Sequence, residues 1–301
     1  MIKTKKFVES HSALFKFGSR VLGLVVFKIP SLSLHKREED NENNKESINN
    51  DGKGLLFHAE ELAFAQSISS ASSSPSSFNN FLAGRMALRR ALLLAGAGPF
   101  ETPILRDSWK APLLPTHLRG SITHKDELAA AVGGVAVFAE TNDFRVGLDL
   151  ERTSSVSNHR SLALRILTDS ERTRLGNIST TGLEIGRTGE HGKGAGGGVS
   201  ISEEVLLRFS LKEAAFKALH PFLKRHIGFK EVEVEPRGDG SASVSIVHGH
   251  ATVGAADESG GERDRNIDNN GSKILKLEGK WRRILGDRYF LSIVKVEAEI
   301  C

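Results

Sequence analysis

The sequence predicts an α+β fold, and three observations predict it. Segments 81–94 and 201–219 are long runs of good helix formers, while several short apolar runs alternate with polar residues as strands do. Strands and helices are mixed in two halves of similar size, rather than in a regular strand–helix–strand repeat. The 301 residues, 39% of them hydrophobic, suffice for one large domain or two modest ones.

In chain order, the first seventeen residues are basic and precede an apolar run at 21–27. Its β-branched residues, followed by Lys28 and Pro30, read as a first β-strand. The same pattern of lysines before an apolar stretch also fits an organelle presequence, against a default reading of a cytoplasmic protein. Segment 81–94 carries arginines at 85, 89 and 90, and Gly96 closes it. Residues 120–124 are strand-like and end in His124. Segments 128–132 and 135–138 flank Gly133-Gly134 and read as a strand pair joined by a glycine turn. A strand is expected at 144–151, and short helices at 162–167 and 170–175. The helix over 201–219 has Ser202 and two glutamates at its start and Pro221 just past its end. Val232 and Val234 alternate with glutamates, and 289–296 forms a terminal strand. Three stretches, 35–54, 176–198 and 255–272, are too rich in Gly, Asn and charge to bury apolar surface, and read as insertions. The domains expected are residues 20–143, with the first insertion, and 144–301, with the other two.

Composition closes several routes. The lone cysteine, Cys301, rules out an internal disulfide, a cysteine zinc cluster and an iron–sulfur cluster. No apolar run approaches the roughly 20 residues of a membrane-spanning helix. A net charge of +4 and a pI near 9.1 favour an anionic partner without choosing among nucleotide, nucleic acid and acidic protein.

Two segments carry candidate chemistry. In Val146-Gly147-Leu148-Asp149-Leu150-Glu151, strand alternation puts Asp149 and Glu151 on one face, about 7 Å apart. Such a pair suits a hard cation such as magnesium, which takes oxygen ligands and leaves waters for a phosphate to replace. The alternative is a solvated acidic face. In Phe209-Ser210-Leu211-Lys212-Glu213-Ala214-Ala215-Phe216-Lys217, Glu213 and Lys217 stand four apart. They form either an ordinary helix-surface ion pair or a third carboxylate and a phosphate-binding lysine. His124 is either a satisfied structural histidine or a site residue. Arg85, Arg89, Arg106 and Lys110 offer positive charge for phosphates or are ordinary surface.

Taken in order, Phe81-Leu82-Ala83-Gly84-Arg85-Met86-Ala87-Leu88-Arg89, Lys110-Ala111-Pro112, Gly120-Ser121-Ile122-Thr123-His124, Gly147-Leu148-Asp149-Leu150-Glu151 and 209–217 resemble the 4'-phosphopantetheinyl transferase superfamily. The likeness is to its Sfp class, in the enterobactin-synthetase component D branch, and runs from about residue 21 to 296. It implies a pseudo-twofold pair of similar subdomains, acting as a monomer, that transfers the 4'-phosphopantetheine arm of coenzyme A to a serine of an acyl or peptidyl carrier protein. On the matching residues, Asp149, Glu151 and Glu213 are implied to be magnesium ligands. Lys217 is placed near the pyrophosphate and the proton in transit, and Glu213 or a metal-bound water beside it as the base. Arg85 is implied to meet the 3'-phosphate of coenzyme A with Thr123 and His124. Arg89, Lys110 and Lys212 are further coenzyme A contacts, Lys212 in a supporting role. Thr123 stands where serine is usual, Phe216 where tyrosine is frequent, and Ala111 where a basic residue often precedes the proline. The competing readings are another magnesium-dependent phosphotransferase or phosphodiesterase, a basic nucleic-acid-binding module, and a catalytically inactive scaffold. The spread of basic residues and the single tyrosine argue against nucleic acid.

Overall fold

The computed structural model describes residues 8–17, 20–29, 57–71, 76–99, 101–136, 143–154, 159–176, 199–247 and 273–300. The expected insertions at 35–54 and 255–272, and all but the first residue of 176–198, lie outside the described residues. The fold is α+β, with two separate sheets. The chain divides into two compact units, the first formed mainly by residues up to Val135 and the second from Ala136 onward. The short segments Phe17–Ser19 and Arg119–Ser121 belong to the second.

The first unit holds strands β1 (Val8–Phe17), β2 (Arg20–Lys28), β3 (Leu118–Lys125) and β4 (Leu128–Val135), in the spatial order β1-β2-β4-β3. Helices α1 (Ala59–Ala71) and α2 (Ser77–Leu94) accompany them. The apolar run at 21–27 is therefore the second strand, since the alternating segment before it also pairs into the sheet. Gly133-Gly134 makes no turn: both residues lie within β4, where Gly133 pairs with Gly23 of β2. The glycines serve a close approach instead. A Cβ on Gly23 would sit 2.0 Å from the Ala91 carbonyl oxygen, and one on Gly133 would sit 2.8 Å from the Leu92 side chain. The bare patch lets α2 lie flat on β2 and β4, so that Val25, Phe27, Leu88, Leu92 and Ala131 form one core.

The second unit holds β5 (Asp143–Arg152), α3 (His159–Ile166), α4 (Asp169–Arg174), α5 (Ile201–Leu223) and a 3-10 turn at Phe229–Glu231. Strands β6 (Val232–Pro236), β7 (Ser241–Ile246), β8 (Lys273–Ile284) and β9 (Tyr289–Ile300) complete an antiparallel sheet in the order β5-β9-β8-β7-β6. Helix α5 packs over one face of it. Leu207, Leu211, Ala215 and Ala218 bury against Phe290, Val294 and Val296. The N-cap of α5 is Ser200 rather than Ser202, closed by a capping box with Glu203. Pro221 lies inside the helix rather than beyond it, and α5 ends only where Lys224 turns left-handed at φ 48°. The proline removes one hydrogen bond in the last turn, and Phe222 and Leu223, packed on the core, hold that turn in place.

Candidate active site

In the second unit the site starts from Gly147. A Cβ there would lie 1.8 Å from the Ala214 carbonyl oxygen and 2.8 Å from the Ala218 nitrogen, so only glycine lets α5 rest on β5. Residues at even spacing from Gly147 share its face, which turns Asp149 and Glu151 toward the helix. The helix answers with Lys217, whose Nζ donates to Asp149 Oδ1 at 2.9 Å and to the Leu148 carbonyl at 2.8 Å. Asp149 is 6% exposed and Glu213 is half-buried. The Glu213 carboxyl is held above its ordinary range, first by burial and then by the nearby negative charge of Asp149, with Lys217 opposing. Strand and helix thus bring Asp149, Glu213 and Lys217 together, two carboxylates against one ammonium, with Glu151 one strand repeat further along the same face. Among the described residues no three Asp, Glu, His or Cys side chains form a ready-made metal cage.

Ionised Glu213 costs stability in the metal-free protein. Because its folded pKa is raised, that cost is fully present above the raised value. It is relieved as pH falls through that value, and gone below the ordinary 4.5. Glu213→Gln is expected to raise the melting temperature by about 2–4 °C at about pH 7.5 and by nothing near about pH 4. Thermal unfolding at the two pH values checks this, and an equal gain at both would refute it.

Lys212, next to Glu213, points elsewhere. It is fully buried, and its three donors go to Glu171 Oε2 at 2.6 Å, the Ile166 carbonyl at 2.7 Å and the Phe229 carbonyl at 2.9 Å. Glu171 belongs to the capping box of α4 with Thr168, and also accepts from the Val234 nitrogen at 2.9 Å. Arg208 stands 3.7 Å from its other oxygen. The sequence analysis gave Glu171 no role, although Thr168-x-x-Glu171 is a legible capping box.

The first unit gathers positive charge. Arg85 is 5% exposed, donates through Nε to the Ile104 carbonyl at 2.9 Å and through Nη2 to the Leu105 carbonyl at 3.2 Å, and stacks on Phe81 at 3.6 Å. Burial lowers its pKa to about 10, with Glu61 opposing and Arg106 and Arg89 adding to the fall, so it stays cationic at neutral pH. Arg89 is buried against Glu61 at 2.7 Å, and Glu61 also accepts from the Ile104 nitrogen. Arg85 and Arg89 thus flank one carboxylate beside the 102–105 loop, with Arg106 close to Arg85. The sequence analysis gave Glu61 no role, because its place beside these arginines is set by helix α1, an element the sequence analysis did not identify. Thr123 is buried on β3, and His124 Nε2 meets the Asn80 carbonyl at 2.5 Å. Lys110 is exposed on a turn with φ 68°, beside exposed Trp109.

A solved structure titled "Chronobacterium ammoiniagenes apo-ACPS structure" aligns at 15% identity and a TM-score of 0.32, covering 52% of this chain and 99% of that one. No curated protein matches the chain. Two family models match in tandem: the 4'-phosphopantetheinyl transferase N-terminal domain over residues 65–134, and the 4'-phosphopantetheinyl transferase superfamily over residues 145–265. The first covers α2 and the arginine cluster, the second covers β5 and α5 with Asp149, Glu213 and Lys217, and on the pair of them the chain belongs to the 4'-phosphopantetheinyl transferase superfamily.

Proposed function

We propose that the protein transfers the 4'-phosphopantetheine arm of coenzyme A to a serine hydroxyl of an apo acyl or peptidyl carrier protein, as a holo-carrier-protein synthase of the Sfp class. The observation that carries this reading is the meeting of Asp149, Glu213 and Lys217 across the Gly147 contact, inside the segment matched by the superfamily. The donor set fits a magnesium ion: every candidate ligand is a carboxylate oxygen, and the mutual repulsion of Asp149 and Glu213 leaves negative charge that Lys217 alone does not offset. Asp149, Glu151 and Glu213 are the residues that would hold it. Bound there, the ion would supply charge neutralisation at the pyrophosphate.

The chain's own residues account for the rest. The carrier serine oxygen forms a bond to the β-phosphorus of coenzyme A as the bond to the leaving 3',5'-ADP breaks. Glu213, or a water beside it, is the proposed acceptor of the serine proton. The Lys217 ammonium, held by Asp149 and the Leu148 carbonyl, stands ready to stabilise charge growing on the diphosphate. Arg85 and its neighbours Arg89 and Arg106, with Thr123, His124 and Lys110, are the proposed contacts for the phosphates of coenzyme A. Arg85 already spends two donors on backbone carbonyls, which fixes its guanidinium rather than leaving it to search.

Incubating the full chain with magnesium, coenzyme A and an apo acyl carrier protein is expected to add the mass of the arm to the carrier. The gain should vanish with EDTA. An unmodified carrier under these conditions, tested with both an acyl and a peptidyl carrier, would overturn the proposal.

A further inference from the structure

Asp149 lies directly opposite Ser292 in the pairing of β5 with β9. Residues so paired point to one face, with Cβ atoms about 4.5–5.5 Å apart. The other β9 residues on that face, Phe290, Val294 and Val296, belong to the apolar core under α5. Ser292 is fully buried among them, and its hydroxyl has no hydrogen-bond partner among the described residues. Alanine would fill the same space without stranding a polar group, so a serine here is costly for folding.

A second hydroxyl is in the same condition. Ser210 of α5 is fully buried with no hydrogen-bond partner among the described residues, and does not bond back to the preceding helical turn. It precedes Ala214 by four residues and Lys217 by seven, and so lies on the helix stripe that meets β5 at Gly147 and Asp149. One buried hydroxyl thus stands opposite Asp149 on the neighbouring strand, and the other lies on the helix stripe that faces β5.

We infer that Ser292 and Ser210 are positioning residues, whose hydroxyls donate to the Asp149 carboxylate when a divalent cation is bound. This rests on the reading of Asp149 as a cation ligand. Outer hydrogen bonds of this kind fix the direction of a ligating carboxylate, and their loss weakens metal binding about tenfold or more.

The test uses the full chain and Mn2+ alone, with free Mn2+ read by electron paramagnetic resonance. Ser292→Ala is expected to weaken Mn2+ binding about tenfold, and Ser210→Ala to do the same, while the melting temperature of the metal-free protein stays level or rises. In turnover, the magnesium concentration for half-maximal rate should rise while the rate at saturating magnesium holds. A fall in metal-free stability with unchanged Mn2+ affinity would show merely structural hydroxyls and overturn the inference. Wild-type binding that Asp149→Asn abolishes but neither serine variant alters would overturn it alone. Wild-type protein that binds no Mn2+ would overturn the cation reading as well.

Discussion

Asp149→Asn is expected to lower the transfer rate by at least about a thousandfold, or about 4 kcal/mol of transition-state stabilisation, while the protein remains folded. The substitution removes one negative charge and keeps the shape and the Oδ1 acceptor, so Lys217 can still donate to residue 149 and to the Leu148 carbonyl. The Lys217 side chain is 32% exposed, so its ammonium reaches water and is not stranded when the charge opposite it disappears. The melting temperature should therefore move by only a few degrees. Activity should not survive, because the same carboxylate serves the proposed cation and aims the lysine. For that reason the double variant Asp149→Asn/Lys217→Met should be no slower than the worse single variant. Carrier-protein mass gain under single-turnover conditions measures all three. Retention of more than about a tenth of the wild-type rate by Asp149→Asn would place the chemistry elsewhere.

How far the site could be read from the sequence follows from how local each signal is. Strand alternation through 146–151 and helical spacing through 209–217 correctly gave two elements and the faces carrying Asp149, Glu151, Glu213 and Lys217. What joins those faces is Gly147, whose meaning depends on a helix sixty-seven residues later in the chain resting 1.8 Å from a missing Cβ. No window of sequence contains that. Gly133-Gly134 misled for the same reason: a glycine pair has one local reading, a turn, and a different tertiary one, a bed for α2. Pro221 is the converse, a local stop signal overridden because the residues after it, Phe222 and Leu223, gain more from packing than the helix loses in one hydrogen bond. Strand β1 was missed because its residues are mostly exposed, and an edge strand has little apolar pattern to show. Ser292 and Ser210 were illegible outright, since a serine in a strand or helix carries no sign of whether its hydroxyl will find a partner.

Lys212→Met is expected to lower stability by about 3–5 kcal/mol, some 10 °C in melting temperature, without a specific effect on coenzyme A binding. Of the adjacent residues Lys212 and Glu213, Lys212 is the one fully buried. Its ammonium ties α5 to the last residue of α3 through the Ile166 carbonyl, to the Phe229 carbonyl and to the Glu171 carboxylate, all at 2.6–2.9 Å. Burial pulls its pKa down and Glu171 pulls it back. Methionine matches the volume but leaves Glu171, itself fully buried, with Arg208 at 3.7 Å as its nearest cation. An ion that loses its partner in such a place costs more than the pair contributed. It follows that adding Glu171→Gln to Lys212→Met should restore part of the lost stability, which no account based on lost packing would give. Denaturant unfolding of the two single variants and the double variant measures the coupling directly. A rise in the KM for coenzyme A, with stability held, would instead put Lys212 at the substrate, the role that the family resemblance assigns it.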